Sequence, residues 1–129
     1  METYSFLLRD LPTNYMTLLQ TYALSDAAIV SINPGSIRLT DELNQLDFSR
    51  VEKISLLASD VMFRNELEIA YLEIVPFTSS NTLQLFPTLV NAKALMTQEK
   101  FNLKLKVKLR SFLTSSSNIR LRLNLNANP

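Results

Sequence analysis

The chain has 129 residues, of which 47% are hydrophobic and 19% are charged, with no cysteine, no histidine and a single glycine. The length fits one domain, residues 1–129, and the composition is that of a folded chain. The missing residues exclude disulfides, thiolate nucleophiles, imidazole bases and nearly all zinc, copper or haem sites. Gly35 alone cannot build a glycine-rich phosphate loop, so P-loop and Rossmann nucleotide sites are excluded as well.

The apolar residues are not arranged for a membrane. No apolar run approaches the roughly 20 residues that a spanning helix needs. Residues 1–10 lack the cationic leader and apolar stretch of a signal peptide. We therefore expect a soluble protein with no membrane span. The low share of charge leaves apolar surface that a partner can cover.

In the first third of the chain, residues 3–9 predict a short strand that Pro12 ends. Residues 13–24 predict a helix, because apolar side chains recur there at helical spacing. Residues 28–40 predict a hairpin with its turn at residues 33–36, where Pro34 precedes Gly35.

The middle of the chain is less regular. Residues 41–47 are polar and predict a loop or one helical turn. Residues 49–63 fit either a helix or a bent strand; we favour the strand, with a bulge near Ser59. Residues 66–77 predict a strand with Leu67, Ile69 and Tyr71 on one face and Glu66 and Glu68 on the other. A short edge strand at 83–86 and a helix or extended loop at 88–98 follow.

The C-terminal segment carries the most regular pattern. Apolar and basic or polar side chains alternate over residues 101–110 and again over 119–126. This period of two predicts two half-buried strands, with the apolar face towards the core and the basic face outward. The short polar connection at 114–118 predicts that they pair as an antiparallel hairpin.

These elements predict a mainly β fold. We expect an antiparallel β-sandwich, jelly-roll-like, with one or two short helices in the connections. A flattened β-barrel and an α+β fold are the alternatives.

No residue set predicts catalysis. Glu66 and Glu68 are a close carboxylate pair, but the sequence does not supply the aromatic residues that line a glycosidase cleft. Lys53 and Ser55 lie close in sequence, but this spacing occurs by chance in most proteins. The acidic stretch at 41–47 lacks the pattern of a calcium loop. We predict no enzyme activity and no catalytic, cofactor-binding or metal-binding residues.

Charge is distributed unevenly along the chain. Residues 1–99 carry six Lys/Arg and all 12 Asp/Glu, whereas residues 100–129 carry seven Lys/Arg and no acid. Six of these cations, which we call the C-terminal cations, form the predicted interaction surface on the outer face of the hairpin: Lys104, Lys106, Lys108, Arg110, Arg120 and Arg122. The predicted acidic counterpart is Glu66, Glu68 and Glu73.

Three interpretations of this asymmetry compete. The acids can pair with the cations inside the domain, each pair contributing about a few tenths of a kcal/mol. The cations can instead meet an acidic patch on another copy or another subunit. They can also contact the phosphates of a nucleic acid, although the net charge of +1 and the lack of interleaved aromatic residues favour this less.

The sequence thus favours a non-enzymatic structural subunit of a larger assembly that associates with copies of itself or with other subunits. By analogy of fold, we expect a virus or phage particle, in which the chain would be a capsid or other virion component. A monomeric module that binds a small ligand, a glycan or a peptide is the first alternative. A protein that contacts nucleic acid through its basic hairpin is the second. No cofactor is expected in any case.

Overall fold

The computed structural model describes residues 3–41, 48–73, 81–110 and 119–129. The strands of these residues are β1 (Thr3–Pro12), β2 (Ser31–Asp41), β3 (Val51–Ser59), β4 (Leu67–Leu72), β5 (Thr82–Pro87), β6 (Lys100–Leu109) and β7 (Ile119–Asn128). The α-helices are α1 (Tyr15–Thr21) and α2 (Lys93–Met96), and two short 3₁₀ turns cover Asp26–Ala28 and Phe48–Arg50. The predicted strand end at 74–77 and the predicted connection at 114–118 lie outside the described residues.

The strands form one curled antiparallel sheet in the order β1-β6-β3-β4-β5-β2-β7, which makes a half-barrel. The mainly β class with two short helices is therefore confirmed. The fold is closer to the barrel alternative than to two stacked sheets, because its two parts are joined edge to edge in one continuous sheet. The first part is β1-β6-β3-β4 and the second is β5-β2-β7. In the described part of the chain that joint is narrow, with the two pairs Ala70↔Pro87 and Tyr71↔Phe86 between β4 and β5.

The core lies on the concave side of the curled sheet. Directly opposite residues point to the same face, and most inward pairs of the described sheet are apolar, as in Leu56↔Leu105 and Leu39↔Leu83. The pair Asp41↔Ile119 is an exception, because Asp41 is buried. The central residues Ile37 and Leu56 are fully buried. Helix α1 adds Tyr15 and Leu19 to this core. In β6 and β7 the alternating pattern of the sequence thus determines which face of the strand is turned to the core.

The predicted C-terminal hairpin is wrong in its pairing, although both of its segments are strands. β6 lies between β1 and β3, and β7 pairs with β2 at the far edge of the sheet. Alternation fixes the buried face of a strand but does not identify its neighbour, which long-range packing selects. The C-terminal cations therefore do not share one ribbon.

The predicted turn at 33–36 is also wrong, because β2 continues through it. The pairing of β2 with β7 shifts register between Pro34 and Ile37, so these residues form a bulge instead of reversing the chain. Gly35 does not have a positive φ. A Cβ added to Gly35 would lie 2.8 Å from Asn126 Nδ2 and 3.2 Å from the Asn124 carbonyl oxygen, so glycine here permits the close approach of β7.

A second bulge changes the faces of β4. The pairing with β3 moves from Leu56↔Ala70 to Leu57↔Glu68, which leaves Ile69 as an extra residue. Ile69 and Ala70 are consequently both buried, and Tyr71 turns outward against Phe86, with the ring centroids 6.1 Å apart. The prediction that Tyr71 shares a face with Ile69 is therefore wrong.

One polar residue of β6 is buried against the alternation. Asn102 is 2% exposed, and its side chain accepts from the Asp10 backbone N–H at 2.9 Å and donates to the Asp60 carbonyl at 3.2 Å. Asp60 in turn accepts from the backbone N–H groups of Met62 and Arg64 and thereby orders the turn after β3. Asn102 thus connects β1 to this turn.

No helix among the described residues is long and apolar enough to cross a membrane.

Candidate functional site

The half-barrel is open along one side, between its two edge strands. Within the described ranges, β1 pairs only with β6 and β7 pairs only with β2. Because every neighbouring pair is antiparallel, strand direction alternates across the sheet, and β1 and β7 run in the same direction. We call the space between these two edges the open seam.

A cleft of about 560 Å³ lies at the open seam. Both edge strands line it, β1 with Phe6 and Leu8 and β7 with Ile119 and Leu121. Its inner wall is formed by core side chains of the other strands: Leu39, Leu56, Leu103 and Leu105. The cleft is therefore an accessible, apolar part of the barrel interior.

The β1 side of the open seam exposes three consecutive large apolar residues. Phe6 is 47% exposed, Leu7 43% and Leu8 46%. On the β7 side, Ile119 and Leu121 are only half-buried and pack against the core. A group of large apolar side chains along an unpaired strand edge is typical of a surface that another chain covers.

The C-terminal cations lie on both sides of the open seam. Lys104, Lys106 and Lys108 point outward from β6, which is one strand away from the seam beyond β1. Arg120 and Arg122 point outward from β7 itself. The structure thus replaces the predicted single basic face by two basic strips that flank an apolar opening.

Several of these cations have partners inside the domain. Lys104 Nζ lies 3.2 Å from Glu66 Oε2, and Lys108 Nζ lies 3.3 Å from Glu52 Oε2. The Arg110 guanidinium donates to the Val51 carbonyl at 2.8 Å. Among the described residues, Lys106 and Arg122 have no ion-pair partner. Internal pairing therefore accounts for part of the charge asymmetry and leaves positive charge near the open seam.

The predicted acidic residues are dispersed among separate partners. Glu66 pairs with Lys104, and Glu73 Oε2 lies 3.3 Å from Lys53 Nζ. Glu68 accepts a short hydrogen bond from the Ser55 hydroxyl.

These contacts occupy the groups that a Glu dyad or a Ser–Lys pair would need. In the described part of the chain, no three acidic residues cluster as a metal site.

A second cleft, of about 700 Å³, lies beside α1 and is lined by both polar and apolar residues. The Tyr15 hydroxyl donates to Asp26 Oδ1 at 2.5 Å. This hydrogen bond, together with burial and the charge of Asp26, raises the pKa of Tyr15 to about 12. Lys93 also contacts Asp26, at 3.7 Å, so the group forms a structural link between α1 and α2. A phenol held protonated in this way is no general base at neutral pH.

Comparison with family models, with curated proteins and with solved structures finds no match for this chain.

The open seam was not predicted from the sequence. One signal for it was present: Phe6, Leu7 and Leu8 are consecutive, whereas a strand with one solvated face alternates. Such a run indicates that both faces of the strand are to be covered. The β7 side gave no comparable signal, because Ile119 and Leu121 follow the same alternation as the buried residues of β6.

Proposed function

We propose that this protein is a non-enzymatic subunit that associates with another protein chain through the open seam. The observation that supports the proposal is the apolar cleft between the edges of β1 and β7, with Phe6, Leu7 and Leu8 exposed beside it. Among the described residues, no further strand pairs with either edge. Exposed strand edges with apolar side chains favour association, because they offer both unpaired backbone groups and apolar area. The kind of assembly, including a virus or phage particle, stays a prediction.

The test is the native mass of the chain in extracts of the cells or particles that contain it. We expect elution well above the 14.7 kDa of the single chain. Phe6→Glu places a charge in the cleft and should return the chain to its monomeric mass. Phe86→Glu is the matched control, since Phe86 is 60% exposed on β5, away from the open seam.

A monomeric wild-type chain in native extracts would refute the proposal. Equal loss of the assembly in both variants would show that the effect is not specific to the open seam. Circular dichroism of the purified variants establishes that both are folded.

A small apolar ligand is the second candidate, because a cleft of about 560 Å³ lies within the range of ligand pockets. Extraction of the natively purified protein followed by mass spectrometry tests it. A stoichiometric apolar compound, absent from Phe6→Glu and present in Phe86→Glu, would favour this candidate over association.

The nucleic-acid alternative stays a prediction with less support. Phosphates would compete with Glu66 for Lys104 and with Glu52 for Lys108.

A further inference from the structure

We infer that the open seam accepts one extended, acidic strand from a different protein, inserted antiparallel to both β1 and β7. This inference rests on the proposed function and specifies the partner.

The direction of the strands gives the first argument. Since β1 and β7 run the same way, one strand of opposite direction is antiparallel to both neighbours. Its insertion would complete a fully antiparallel closed sheet without changing any existing pair. A closed barrel of about eight strands has an interior that side chains can fill, as the apolar core here already does in part.

The cleft determines the inward residues of the inserted strand. Phe6 and Leu8 lie opposite Ile119 and Leu121 across the same cleft, so the strand would run past these positions. Every second side chain of the strand would then point into a space lined by leucine, isoleucine and phenylalanine. Those side chains must be apolar, because an unpartnered polar group there would be buried at a cost.

The charges beside the open seam determine the outward residues. Arg122 points outward from β7, with Arg38 directly opposite it on β2. On the other side, Lys106 points outward from β6, one strand beyond β1. The Arg9 guanidinium of β1 lies over the Phe63 ring instead, 5.1 Å from its centroid. β7 carries no acidic residue at all. Carboxylates on the outward positions of the inserted strand would therefore have arginine as a direct neighbour on β7 and lysine one strand beyond β1.

The same charges argue against a second copy as the donor of the strand. The outward residues of β7 are Arg120, Arg122 and asparagines, which would bring arginine next to arginine across the new pair. β1 has Arg9 and no outward carboxylate opposite the cleft. The alternating acidic segment of this chain, at Glu66 and Glu68, lies at the start of β4, which already has a strand on each side. A foreign strand in which apolar and acidic residues alternate fits better.

The test uses the full chain and synthetic peptides. The probe is an extended peptide with the repeat Glu-Ile-Glu-Val. One control has lysine in place of glutamate, and the other has the same composition with all glutamates placed before the apolar residues. We expect one probe peptide to bind per chain, with slowed amide exchange on both edges, at residues 3–8 and 119–123. The lysine peptide should bind at least about tenfold more weakly at low salt, a difference that salt reduces.

Two exposed-surface variants keep the test independent of folding. Arg122→Glu should weaken binding of the glutamate peptide and strengthen binding of the lysine peptide. Arg38→Glu makes the same change of charge one strand further from the open seam and should have a smaller effect. Phe6→Glu should reduce binding of all peptides by about tenfold or more.

Exchange protection at one edge only, binding of the control peptides as tight as that of the probe, or no binding would each overturn the inference. No peptide binding together with a native assembly that depends on Phe6 would leave the proposed function standing. Peptide binding by a chain that is monomeric in native extracts would refute the proposed function and keep the strand site.

Discussion

β6 and β7 have nearly the same sequence pattern, but β6 lies in the interior of the sheet and β7 lies at its edge. In β6 the alternate residues from Phe101 to Leu109 are all buried, whereas the apolar residues of β7 are only half-buried. The difference lies in the neighbours within the described ranges: β6 has a strand on each side, and β7 has β2 on one side. The pattern therefore selects the face that is buried, and the position in the sheet sets how completely it is buried.

The largest expected effect tests this difference between the strands directly. Leu105→Ala should lower the free energy of unfolding by about 3 kcal/mol, because Leu105 is 9% exposed among core side chains. Leu121→Ala on β7 should lower it by about 1 kcal/mol, since this side chain is only partly buried. Urea denaturation of both variants measures the contrast. Equal losses would contradict the assignment of β7 to an open edge.

The next effect concerns Asn102, a buried polar residue of β6 that has no buried counterpart on β7. Asn102→Ala should lower the free energy of unfolding by about 2 kcal/mol, because it leaves the Asp10 N–H and the Asp60 carbonyl without their partner. Asn124→Ala on β7 is the matched control, and its exposed side chain should give a change within about 0.5 kcal/mol. Denaturant titration compares them, and a neutral Asn102→Ala would remove the proposed link between β1 and the turn after β3.

A smaller effect separates a paired cation of β6 from one without an ion-pair partner among the described residues. A double-mutant cycle on Lys104 and Glu66 should give a coupling of about 0.5 kcal/mol that salt reduces, because both side chains are partly exposed. The control cycle on Lys106 and Glu66 should give no coupling. A strong coupling for Lys106 would show that internal pairing extends further along β6 than the structure indicates.

The last effect lies outside both strands, at Tyr15, and is confined to high pH. Its folded-state pKa of about 12 exceeds the ordinary value of 10.0, so the contribution of this phenol to stability is complete below pH 10.0. It is lost as the pH rises towards about 12. Tyr15→Phe should flatten this part of the stability profile relative to wild type, measured by chemical denaturation between these pH values. Tyr22→Phe, an exposed residue, is the control.

Part of the fold could be predicted because it depends on local patterns. The strand β6 follows from alternation, α1 from helical spacing, and β1 from a short run of aromatic and apolar residues. The segment of β3 fitted a helix as well as the strand that we favoured, and the structure shows the strand. The prediction of a turn at Pro34 and Gly35 is wrong because these residues are compatible with both a tight turn and a β-bulge. The close approach of β7 selects the bulge. The prediction of which residues of β4 share a face is wrong for a related reason. The extra residue at Ile69 turns every later side chain of the strand to the opposite face.

By itself, the sequence determined that this chain is mainly β, which face of β6 and of β7 is turned to the core, and that it has no cysteine or histidine chemistry. Those properties depend on residue identity and on a period of two, which each segment carries alone. Only the tertiary structure decided that β6 and β7 lie apart, on either side of an apolar opening. The pairing of strands is a long-range choice among segments with similar patterns, and it depends on how the whole sheet curls.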